Sequence, residues 1–287
     1  MLALAVRRPA VAGAFYSGTE EGLKRQIEWC FRHELGPGEV PVPSEGPLES
    51  LVALVCPHAG YMYSGPIAAH AYARLAREGR PDVVVILGPN HTGFGSSVAT
   101  SVSGAWRTPL GDVEIDVGLA EAIMDKARIV AADDTAHIYE HSIEVQLPFL
   151  QFLYGSKFKF VPICMMLQDM RTSTEVGMAI AESIRELGLN ALVIASTDLT
   201  HYEPHDVAMR KDAEVISAIR ALDVSGLYRA VEEVPVSMCG YGPTAAAMVA
   251  ARELGASRGE LLKYATSGDI TGDLRAVVGY ASMALTR

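Results

Sequence analysis

A three-layer α/β fold, with helices on both faces of a mostly parallel mixed central sheet, is predicted by three observations. Strand-forming runs alternate with helical patterns along nearly the whole chain, as they do when crossover helices cover a sheet. The run Val83 to Leu87 holds five consecutive apolar strand formers, and Leu51–Cys56 and Ala191–Ala195 share its texture. Residues apolar on both faces suit strands buried between two helical layers. Each run also breaks into a loop that carries a histidine: Pro57-His58, Gly88-Pro89-Asn90-His91 and Ser196-Thr-Asp198-Leu-Thr-His201. In open α/β sheets that carboxyl edge is where ligands collect.

Taken in order, Pro9 to Tyr16 is an extended, partly apolar lead-in. Thr19 can cap a helix whose first turn holds Glu20 and Glu21, and Leu23, Ile27, Cys30 and Phe31 recur at helical spacing. Residues 36–50 carry four prolines and form a loop. After the strand to Cys56 a helix is expected from about Gly65 to Arg77, capped by Ser64. Ser96 to Asp116 breaks into short β-prone pieces around Trp106-Arg-Thr-Pro-Leu-Gly111, the pattern of a hairpin beside the sheet. A helix over about 117–127 leads to His137–Leu147, which reads as helical until Pro148 kinks or ends it. A strand (Phe158 to Met166), a helix (171–187) and the strand to Ala195 follow. Helices near 206–222 and 224–233, a helix of small residues from about Pro243 to Leu254, and strands near 260–266 and 276–285 close one α/β domain over residues 1–287.

The totals narrow the function classes. An apolar fraction of 49% in 287 residues supplies a large core. A formal net charge of −10 argues against nucleic acid or an anionic membrane as partner, since both select basic surfaces. No apolar run approaches the ~20 residues that span a bilayer. The N-terminal text Met1-Leu-Ala-Leu-Ala-Val-Arg-Arg-Pro9 lacks the pattern of a secretion signal. Cys30, Cys56, Cys164 and Cys239 form neither a CxxC pair nor a dense framework, which fits a reducing compartment. A cytoplasmic protein is expected.

His58 and His91 are 33 positions apart, about one βαβ unit, so on neighbouring strands their imidazoles can converge on one ion. A third ligand is needed, and Cys239 is the strongest choice. It precedes a helix N-terminus, which favours a thiolate, and Gly240 and Gly242 after it let the backbone turn. Cys56, Cys30 and Cys164 read as packing. Asp198 and His201 place a carboxylate and an imidazole on one loop, suited to general-base work or to supporting a metal ligand, the alternative being that Asp198 caps the next helix. His137-Ile-Tyr-Glu140-His141 matches H-x-x-E-H, which on a helix would bind zinc beside a peptidase base. Asp-Asp-Thr-Ala before it reads as a loop, however, which sets His137 outside a helix. His141 and Glu144 are expected to lean toward the strand-end site instead. Tyr16, Tyr61, Tyr63 and Trp106 read as core more readily than as pocket lining.

These residues resemble a known family. Arg8-Pro-Ala-Val-Ala-Gly-Ala-Phe-Tyr16, Pro57-His-Ala-Gly-Tyr61, Leu87-Gly-Pro-Asn-His91, Arg107-Thr-Pro-Leu110, Glu140-His-Ser-Ile-Glu144, Ser196-Thr-Asp198 with His201, and Cys239-Gly are similar to the MEMO family, in order and over nearly the whole chain. Its prokaryotic members are also called AmmeMemoRadiSam system protein B. The resemblance implies a fold like that of class III extradiol (LigB-type) non-haem iron dioxygenases. It implies a metal pocket of His58, His91 and Cys239, with His201 at the place of the dioxygenase base; from the residue reading above, Asp198 and His141 join His201 as the expected catalytic residues. Those dioxygenases use a carboxylate where this chain has Cys239, a departure that bears on ring cleavage.

The expected function is therefore a metal-binding redox protein or oxidoreductase using iron or copper, with zinc also compatible with the ligands. The family label implies a radical-SAM protein and a third component as partners. A non-catalytic module that takes a peptide, protein or small molecule in the same cleft is the alternative, followed by an extradiol dioxygenase and the zinc peptidase.

Overall fold

The computed structural model describes residues 6–287. Residues 1–5, which carry most of the N-terminal reading, lie outside the described residues. In chain order come β1 (Val6–Arg7), α1 (Glu20–Arg32), β2 (Leu51–Cys56), α2 (Tyr61–Glu78), β3 (Val83–Pro89), β4 (Val98–Thr100), β5 (Ala105–Thr108) and β6 (Gly111–Glu114). Next are α3 (Val117–Lys126), β7 (Val130–Ala132), α4 (Leu147–Tyr154), β8 (Lys159–Met165), α5 (Met170–Leu187), β9 (Ala191–Ser196) and β10 (His201–Glu203). The chain ends with α6 (His205–Arg220), α7 (Val224–Glu233), α8 (Tyr241–Glu253), β11 (Arg258–Thr266), α9 (Ser267–Thr271) and β12 (Val277–Thr286).

The main sheet runs β10-β12-β2-β9-β3-β8-β4-β7, with β11 also paired to β12. Its centre, β2-β9-β3-β8, is parallel, while antiparallel pairings join β12 to β2 and β4 to β8. Alternation along the central strands divides two cores. On β3, Val83, Val85 and Leu87 face the layer of α3, α5, α6, α7 and α8. Val84 and Ile86 face α1, α2 and α4. Both faces exclude water, so these strands gain by being apolar throughout. The β5–β6 hairpin pairs antiparallel beside the second layer, with β1 added in parallel.

Local chemistry sets the helix ends. Thr19 caps α1 as its hydroxyl accepts from Gly22 N, while Asp116, Asp169 and Asp223 do the same for α3, α5 and α7. Gly188, at φ 62°, ends α5 in the left-handed conformation. Two boundaries depart from expectation. α2 begins at Tyr61, one turn before Ser64, and carries Pro66 in its second turn, where the missing N–H forfeits one intrahelical hydrogen bond. Pro148 opens α4 instead of ending a helix, because its fixed φ suits a first turn and its missing N–H has no partner there. The stretch before it is two short 3-10 turns, Asp134–His137 and Glu144–Gln146.

The helices α5 and α8 pack closely because small residues face each other. A Cβ on Gly177 would lie 2.4 Å from the Ala246 carbonyl oxygen and 2.7 Å from Val249 Cβ. No helix among the described residues is long and apolar enough to cross a membrane.

Candidate metal centre

The carboxyl ends of β2, β9 and β3 lie side by side, with β9 in the middle. The strands that carry His58 and His91 are therefore not neighbours, contrary to the simplest reading of their spacing. The loop after β9 fills the gap and holds the loop after β2. Thr197 N donates to Cys56 O at 2.8 Å, and Asp198 Oδ1 accepts from His58 N at 2.8 Å.

The His58 ring is buried, and its neighbours determine its tautomer. Ser196 Oγ donates its single proton to Ser142 O at 2.6 Å and accepts from Gln146 Nε2 at 2.7 Å. At 3.0 Å from His58 Nδ1, that oxygen can only accept, so Nδ1 carries the hydrogen and Nε2 keeps a lone pair. Burial, then the nearby His141 and His91, push the His58 pKa well below its usual value, so the ring is neutral.

Glu140 organises the other two imidazoles. Its carboxylate accepts from His91 N at 2.6 Å, His91 Nδ1 at 2.9 Å, and the backbone N–H groups of His141 and Ser142, each at 2.9 Å. Burial opposes its charge, but the His91 hydrogen bond and the His91 and His141 rings outweigh that and hold the carboxyl far below the usual range. His141 Nδ1 is 3.4 Å from the same carboxylate, and burial lowers the His141 pKa. The ring centroids are 5.2 Å apart for His58 and His91, 5.5 Å for His58 and His141, and 4.6 Å for His91 and His141. One ligand atom from each lies within 4.8 Å of the others. Nitrogens sharing one ion at ~2.1 Å sit roughly 3–4 Å apart, so a small contraction closes the group. Remote ring nitrogens tied to a carboxylate or hydroxyl are the usual support of metal-ligating histidines. On donor chemistry and geometry, the residues fit a transition ion.

Cys239 stands to one side of this trio. Its Sγ lies 3.2 Å from His58 Nε2 and accepts from Asp198 N at 3.2 Å. Gly240 beside it is obligatory, since a Cβ would sit 2.6 Å from Ser196 O. Burial, then Asp198, push the thiol up to about 12, so without a cation it is neutral. The expected thiolate is thus not favoured by the helix terminus alone, because desolvation outweighs the dipole. Asp198 is itself raised to about 6 by burial. It neither caps α6, which Pro204 precedes, nor bonds His201. His201 instead directs Nδ1 at the carbonyls of Leu199 (2.7 Å) and Ser237 (2.9 Å), and the backbone beside it is strained, with Tyr202 at φ 59°.

The H-x-x-E-H text does not act as a unit. His137 ends one 3-10 turn and His141 lies beyond a bend, so no helical face presents both to an ion. The buried His137 ring packs edge-on to Trp106 at 5.3 Å, away from the trio. Glu144 also turns away from the site. Its carboxylate accepts from Arg7 Nη1, Tyr16 OH, and the N–H groups of Ala10 and Val11. Tyr16, Tyr61 and Trp106 are core residues, and Tyr63 is partly exposed. Sequence reasoning missed Ser196 and Gln146, which carry no signal beyond a polar residue at the end of an apolar run. It also missed Glu140 as the anchor of His91, although the H-x-x-E-H text had marked the position.

A family model described as "Memo-like protein" matches residues 7–284. A MEMO1 family protein of Methanopyrus kandleri is 59% identical, covering 98% of this chain and 99% of the relative. One from Methanothermobacter thermautotrophicus is 52% identical over 97% and 99%. Among solved structures, an uncharacterized protein of Escherichia coli K12 matches the fold with a TM-score of 0.54 at 14% identity, covering 82% of this chain and 99% of that one. The parallel centre of the sheet, the strand-end histidines and this near-complete match lead to one conclusion: the chain belongs to the Memo-like family.

Proposed function

We propose that the protein binds one redox-active ion, iron or copper, through His58, His91 and His141, with Cys239 as an adjacent soft donor, and acts as a metal-dependent redox protein. The observation that carries the reading is the orientation of the imidazoles. Ser196 holds the Nδ1–H of His58 and Glu140 that of His91, which leaves Nε2 lone pairs for an ion. Three imidazoles and a thiol suit Cu(I), Fe(II) and Zn(II), and a thiolate ligand would tune the potential. Once bound, the ion supplies electron transfer and Lewis acidity. The chain's own residues orient the ligands, exclude water around His58 and handle protons. His201, with Nδ1 committed to backbone carbonyls, is left with Nε2 as a proton acceptor at the rim.

Metal analysis of anaerobically purified protein tests this. Wild type should hold about one ion per chain, and His91→Ala and His141→Ala should lose it. Cys239→Ser should retain an ion with altered metal preference. Equal stoichiometric metal in wild type and His91→Ala would end the proposal. Oxygen uptake with a catechol and iron separates a dioxygenase from other redox roles.

A second reading is favoured by exposed apolar side chains near this edge, Phe94, Tyr139, Met166 and Leu167 on loops and Tyr202 on β10. Such a rim suits a peptide or protein partner, for which the radical-SAM protein and third component of the family's label are the choices to test. Partner affinity that survives replacement of Cys239 and loss of the ion would support that role.

A further inference from the structure

Behind the Glu140 loop lies a cavity of about 480 Å3, within the size range of small-molecule sites. Trp106, Ile138 and Pro9 supply its apolar walls, His137 lines it, and Arg8 and Ser103 stand among its more exposed lining. Among the described residues neither ring nitrogen of His137 has a hydrogen-bond partner, although the side chain is 1% exposed. Buried polar atoms are nearly always paired, and an orphaned imidazole beside a cavity marks where a ligand atom belongs. Burial lowers its pKa to about 3, so the neutral ring offers one donor and one acceptor.

We propose that this cavity is a second binding site, distinct from the imidazole trio, for a flat aromatic molecule carrying a hydroxyl or ring N–H that bonds His137. The walls favour a planar body. The indole of Trp106 is held by the Arg7 guanidinium 4.1 Å from its centroid, and the His137 ring meets it edge-on. The wall is rigid because Arg7 also donates to His137 O at 2.7 Å and Glu140 O at 2.6 Å. A ligand without a polar atom would leave the imidazole unpaired, and sites built to hydrogen-bond discriminate strongly against such analogues.

The test uses phenol and toluene, nearly equal in size and different in that one atom. Binding to metal-free full-length protein is read by saturation-transfer NMR and by Trp106 fluorescence in a Trp29→Phe background. Phenol should bind about ten-fold or more tighter than toluene. His137→Phe should reduce phenol to the toluene level, whereas His91→Ala should leave both unchanged. Ser103→Trp, at the exposed side of the cavity and read by NMR alone because it adds an indole, should exclude both probes, which keeps the test open if His137→Phe fails to fold. Equal affinity for the two probes would overturn the proposal. So would phenol binding that survives both Ser103→Trp and His137→Phe but is lost in His91→Ala.

Discussion

Glu140 separates two histidine environments, one holding His141 and the other His137, four residues apart in the chain. On one side, His141 joins His58 and His91 in a group whose polar atoms are met by Glu140, Ser196 and Gln146. On the other, His137 is as buried as His58 and walled by apolar groups, and no described residue meets either nitrogen. His58 and His137 share residue type and burial, so neither property distinguishes a liganding imidazole from an isolated one. The difference is the partner on the remote nitrogen. That partner fixes which nitrogen carries the proton and where the free lone pair lies.

The largest expected effect breaks the ordered side. Glu140→Ala strips four hydrogen bonds from a buried carboxylate and should cost about 3–5 kcal/mol in urea unfolding, as breaking a buried charged pair does. A loss below about 1 kcal/mol would mean that the network is not formed in solution. Ser196→Ala should act on binding more than on folding. With the His58 tautomer released, metal affinity should fall roughly 10–100-fold in a chelator competition. An unchanged affinity would show that His58 is oriented by something else.

The smallest effect at neutral pH is expected on the other side. His137→Phe removes an unpaired imidazole and keeps a ring of similar shape, so stability at pH 7.5 should change by less than about 1 kcal/mol. Acid then sharpens the contrast. The folded pKa of His137 is lowered from 6.5 to about 3, so as pH falls through 6.5 the unfolded chain takes up a proton that the folded chain refuses. Wild type should therefore lose stability relative to His137→Phe between pH 6.5 and about 3, with the gap levelling off below. Parallel curves over that range would place a charged or solvated His137 in the native protein.

The sequence made the strands and their histidine loops legible, because burial on both faces leaves an unbroken apolar run and Gly-Pro marks its end. His58 and His91 were found on that basis. Strand order was not legible. Nothing in Leu51–Cys56 or Val83–Leu87 says that β9 will come between them, since pairing is set by contacts more than a hundred residues away in the chain. His141 leans toward the strand-end site as expected, but the local structure that brings it there was not legible. Segment 137–146 has helical spacing but bends between the 3-10 turns Asp134–His137 and Glu144–Gln146, where Arg7 holds the carbonyls of His137 and Glu140. Glu144 was assigned to the site by that spacing and belongs to the N-terminal segment instead.

The tight seam at Gly177 reaches further than its position suggests. α8 starts just after Cys239, and the Ala246 carbonyl against Gly177 lies less than two turns along the same rod. One added methyl at residue 177 has no empty space to enter, so α8 must slide or tilt, carrying the sulfur with it. The spacing of two helices far from any imidazole thereby sets the distance at which the thiol addresses His58.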